Sequence, residues 1–123
     1  MESDSEIVVK EVFDAQRDAL GLSLEAGESG LLRVVADAEV QRPGLALAGF
    51  LDYFSSRNIQ ILGRTELAFM ATLDEPLRTV RWRAYLERRP AALVVCRSLR
   101  LDAALLAIAD GAEAVMTAHI LYP

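Results

Sequence analysis

At 123 residues, 53% apolar and 25% charged, the chain has the length and balance of one soluble domain with a buried core, and it reads as a single unit over residues 1–123. The formal charge of −5 is concentrated at the front: residues 1–39 carry ten acidic and three basic groups, residues 40–123 eight acidic and ten basic. An acidic total argues against a nucleic-acid partner. No apolar run nears the roughly 20 residues of a membrane helix, so no membrane partner is expected, and the acidic start MESDSE is unlike a basic signal peptide. The expected compartment is the cytoplasm.

In chain order, Ile7 to Leu20 reads as a short extended start passing into a helix, with Gly21 placed to end it. Leu22–Glu25 and Leu31–Val35 are strand candidates around a turn-rich spacer, Ala26 to Gly30, and are expected to form a hairpin. Pro43 suits the first turn of a helix expected to run to Phe54, with Leu47, Leu51 and Phe54 on one face. Gly49, unfavourable inside a helix by roughly 1 kcal/mol, calls for a packing or bending reason. A strand over Ile59–Leu62 is stopped by Gly63, and a helix follows from about Thr65 to Leu73.

Asp74-Glu75-Pro76 opens the next helix, expected to run to Arg88 with Leu77, Val80, Ala84 and Tyr85 inward. The five arginines between Arg78 and Arg89 read as a solvated face. Beyond Pro90 comes a βαβ pattern: strand Ala92–Cys96, helix Asp102–Asp110 with Asp102 as cap and Gly111 as stop, and strand Ala114–Thr117. The fold class is therefore α/β, a small mostly parallel sheet with helices packed on its faces.

Little catalytic chemistry is available. The sequence holds no GxxxxGK[ST] loop, and its single lysine, Lys10, has no glycines before it. There is no GxSxG elbow, and the lone histidine, His119, has no second histidine with which to bind a metal. Cys96 is the only cysteine and reads as a small buried hydrophobe. No catalytic residue, metal or cofactor is expected in this chain. What remains is an anion-binding arrangement: after the strand, Gly63, Arg64 and Thr65 could bring N–H groups, a guanidinium and a hydroxyl together, with Arg42 adding a second guanidinium. The alternative is that Gly63 makes a turn and Thr65 caps a helix. Asp52 and Tyr53 are interface or site candidates, with a folding role equally open.

The run from Gln41 to Glu66 carries a family resemblance. Arg42-Pro43-Gly44, Ala48-Gly49-Phe50, Asp52-Tyr53-Phe54, the strand Ile59 to Leu62 and Gly63-Arg64-Thr65-Glu66 together resemble the N-terminal domain of HPr kinase/phosphorylase. The final third departs from it, with Arg97-Ser98-Leu99-Arg100 and Glu113-Ala114-Val115-Met116 lacking the glycine and proline usual there. The resemblance implies a fold similar to the N-terminal substrate-binding domain of Mur ligases. It also implies a full-length bacterial enzyme, active as a homohexamer, whose separate C-terminal P-loop domain uses ATP and magnesium. That enzyme phosphorylates a serine of the phosphocarrier HPr, and reverses the reaction by phosphorolysis, in carbon-catabolite control of the phosphotransferase system. For this chain, which holds nothing of the kinase domain, the expectation is a noncatalytic regulatory, assembly or ligand-sensing domain. Its implied partners are that kinase domain, further copies of itself, and HPr through the whole enzyme. A stand-alone module for an anion or nucleotide sugar and an oligomerisation scaffold are the alternatives.

Overall fold

A computed structural model of the chain describes residues 7–35, 42–49, 51, 58–96, 99–110 and 114–118. The chain opens with β1 (Ile7–Val8) and runs directly into α1 (Val9–Leu20), which Gly21 ends with φ 64°, a left-handed geometry that a residue without Cβ adopts cheaply. Next come β2 (Ser23–Ala26), a 3-10 turn (Glu28–Leu32) and β3 (Val34–Val35). The second half holds α2 (Gly44–Leu47), β4 (Ile59–Leu62), α3 (Arg64–Thr72), α4 (Glu75–Glu87), β5 (Ala92–Val95), α5 (Ala103–Ala109) and β6 (Val115–Thr117).

The main sheet has the order β2-β6-β5-β4, with β4, β5 and β6 parallel and β2 antiparallel on the edge. The mostly parallel α/β sheet expected from the βαβ pattern is thus present. Because the strand order advances steadily from β4 to β6, right-handed crossovers put α3, α4 and α5 on the same face. On that face Leu62, Leu93, Val95 and Val115 meet Leu47, Met70, Trp82 and Leu105. The opposite face carries Ile59, Ile61, Val94 and Met116 against Val9 and Leu22, with Phe13 and Leu31 packed on them. Trp82 is fully buried, stacks obliquely on Tyr85 at 5.6 Å, and donates its indole N–H to the Leu105 carbonyl at 3.0 Å. It locks α4 to α5 while satisfying its own polar atom.

Several expectations are corrected. β2 and β3 do not form a hairpin: β2 pairs with β6, and β3 forms a separate antiparallel pair with β1. The spacer winds into the 3-10 turn, which takes up Leu31 and Leu32 and carries the chain away from β2. Of the helix expected over Pro43–Phe54, the described residues show a single turn, Gly44–Leu47, followed by Gly49 at φ 105°, a backbone conformation that stops a helix, while Phe50 and residues 52–54 lie outside the described residues. In α4 the inward positions are Trp82, Tyr85 and Leu86, while Val80 is 61% exposed and Leu77 also faces outward.

Nor are all the α4 arginines solvated. Arg78 donates to the Met70 and Leu73 carbonyls at 3.1 and 2.9 Å, and Arg81 reaches the Leu47 carbonyl at 3.5 Å. Arg78 thus binds carbonyls where α3 stops and Arg81 one where α2 stops. The caps foreseen at Asp74 and Asp102 are present, their carboxylates accepting from Leu77 and Leu105 N–H.

Candidate functional site

β4 is an edge strand of the main sheet, and its exit residue Gly63 is extended and buried as the chain turns into α3. The first turn of a helix presents bare N–H groups that attract negative charge. Here the charge comes from the chain itself. Glu66, three residues on and only 4% exposed, turns its carboxylate back so that Oε1 accepts the Gly63 N–H at 2.8 Å. Arg42, immediately before the buried Pro43 that caps α2, closes on the same carboxylate from outside. Its Nη2 donates to Oε1 at 2.8 Å and its Nε to Oε2 at 3.0 Å, a bidentate fork. One carboxylate therefore joins the starts of two helices, through an arginine and a glutamate 24 residues apart.

The electrostatics follow from this geometry. Burial pushes the Glu66 carboxyl up, but hydrogen bonds from Arg42 and from the Gly63 and Glu66 N–H groups outweigh it and hold the group below the usual glutamate range. The hydrogen bond to Glu66 in turn raises Arg42 above an already high value, so both groups are charged at neutral pH.

Of the expected anion-site residues, the structure brings Arg42 and Gly63 together and commits both to Glu66. Arg64 and Thr65 lie exposed on the first turn of α3, and Thr65 is not the cap: Gly63 holds that position. Asp52 and Tyr53 lie outside the described residues. Glu66 had a sequence signal that reading for anions passes over, since it stands three residues after the cap, where a glutamate satisfies the cap's own N–H.

The neighbouring strand exit is built differently. After Cys96 the described chain resumes at Leu99, Arg100 and the buried Leu101 before Asp102 caps α5. Arg100 is largely exposed and lies 3.7 Å from Glu25 of β2. It stands between two cavities. One, about 230 Å³ and open to solvent, is lined by α3, Arg78 of α4, Asp102 and Leu105. The other, about 200 Å³, lies over Val95, Val115 and Thr117 beside Glu25. Sequence patterning could not indicate either, because their walls come from elements far apart in the chain.

Among the described residues, no three His, Cys, Asp or Glu side chains gather to hold a metal, and no helix is long and apolar enough to cross a membrane. The fold is similar to a crystal structure of the CBS and DRTGG domains from the regulatory region of a Clostridium perfringens pyrophosphatase, complexed with the activator diadenosine tetraphosphate. The match has a TM-score of 0.59 and 18% identity, and it covers 94% of this chain. The match takes in 45% of the chain in that crystal structure. A family model, HPr Serine kinase N terminus, matches residues 7–118, a stretch running from β1 past β6 and taking in both strand exits. The chain belongs to that family.

Proposed function

We propose that this chain is a noncatalytic regulatory domain of an HPr kinase/phosphorylase, the enzyme that phosphorylates and dephosphorylates a serine of HPr in bacterial carbon-catabolite control. The observation that carries the proposal is the family match across residues 7–118. The internal use of Arg42 and Glu66 supports it: the two side chains are committed to each other and to the Gly63 N–H, so they hold the turn together rather than face a phosphate. In this reading ATP, magnesium and HPr are handled by a separate P-loop domain, and the present chain contributes assembly or ligand sensing in the cytoplasm.

The purified chain, incubated with ATP, magnesium and HPr, is expected to transfer no phosphoryl group. Labelled phosphate on HPr would overturn the proposal.

A stand-alone ligand-binding module is the second reading, supported by the two cavities flanking Arg100. Titration with phosphate, pyrophosphate and a nucleotide sugar tests it, with amide shifts near Arg100 expected for a binding module and none for a purely structural domain.

A further inference from the structure

We propose that the open cavity between α3, α4 and the start of α5 binds a small organic anion, an apolar body of about the size of a benzene ring carrying a carboxylate or phosphate. This rests on the ligand-sensing reading above and gives it a location distinct from the Gly63 turn. The apolar half of the cavity is made by Leu67, Met70 and Leu105. Its polar half is made by Arg78, Arg100 and Asp102, two guanidiniums against one carboxylate, so the lining favours an anion.

Each polar group has a defined state. Arg78 is held in place because Nε and Nη2 bind the Met70 and Leu73 carbonyls, which leaves Nη1 as the donor for a ligand. Asp102 spends one oxygen on the Leu105 N–H at 2.9 Å, which offsets part of its charge. Arg100 is 72% exposed, and its contact with Glu25 is long, at 3.7 Å. A pair so exposed is weak, so Arg100 is free to turn toward an incoming anion.

Size sets the ligand class. The cavity holds about 230 Å³, compared with about 150 Å³ for an apolar protein cavity that takes up benzene. There is room for one ring and a charged group.

The test is a titration of the isotope-labelled full chain with phenyl phosphate, benzoate, inorganic phosphate and benzyl alcohol, followed residue by residue. Phenyl phosphate or benzoate is expected to shift the amides of Leu67, Met70, Ala71 and Leu105. Inorganic phosphate, which lacks the ring, and benzyl alcohol, which lacks the charge, are each expected to bind about tenfold more weakly. Arg100→Gln, at an exposed position, should leave the melting temperature unchanged and weaken binding about tenfold. Glu25→Gln, which releases Arg100, should bind at least as tightly as the parent. Shifts confined to Gly63–Glu66, no shift with any of the four compounds, or undiminished binding by Arg100→Gln would overturn the proposal. An absence of binding would remove this cavity while leaving the noncatalytic reading to its own phosphotransfer assay.

Discussion

The exits of β4 and β5 are adjacent in the sheet and both lead into helices, yet one is closed and the other open. At the first, a buried carboxylate fills the turn and an arginine seals it. At the second, the carboxylate of Asp102 caps its helix from the surface and a loosely held arginine stands between two cavities. The same strand-turn-helix grammar thus gives a structural lock when the acid lies three residues inside the helix with a cation across from it. It gives an accessible cleft when the acid lies at the cap and its neighbour faces water.

The contrast is broken most sharply by Glu66→Ala. Removing one side of a buried pair costs about 3–5 kcal/mol, but Arg42 keeps a 37% exposed side chain, so the expected loss is about 2–3 kcal/mol. Urea unfolding checks it, and a loss near zero would mean that the turn is not a lock. The same carboxyl imposes a pH dependence. Its value in the folded protein lies below that of the unfolded chain, so its contribution is complete above about pH 4.5 and is lost as pH falls through the folded value. Glu66→Gln should flatten that part of the stability profile measured from pH 6 to pH 3.

Arg42→Ala is expected to cost less, about 1–2 kcal/mol, because Glu66 keeps the Gly63 N–H and gains water. At the open exit, Asp102→Ala should cost about 1 kcal/mol, the value of a helix cap. Arg100→Gln should stay within about 0.5 kcal/mol by thermal melting. A large effect there would make the two exits alike.

Sequence reading captured what depends on local pattern. The caps at Asp74 and Asp102, the stop at Gly21 and the βαβ unit from Ala92 to Thr117 were all legible, because spacing and side-chain type determine them within a few residues. What it missed depends on distance along the chain. Glu66 reads as part of a family signature until Arg42, 24 residues earlier, is seen on it. Val80 and Leu77 look like core positions on α4, but the core turns on Trp82, whose partner Leu105 lies 23 residues further on. The hairpin of β2 with β3 was plausible on local grounds and lost to the longer pairing with β6. Gly49, unfavourable inside a helix, has its reason in a positive φ.

That pairing of β2 with β6 governs the order in which the molecule can be completed. Ser23 lies opposite Thr117, and the Gly27 N–H is held by the Asp110 carboxylate from 83 residues away. A ribosome must therefore pass β6 before β2 has its partner strand. The parallel strands β4 and β5 and the helices between them are available to one another much earlier. β2, made before the other strands of its sheet, is thus the last to be secured in it. The excess of acidic groups around it, ten carboxylates against three basic groups in residues 1–39, disfavours self-association meanwhile.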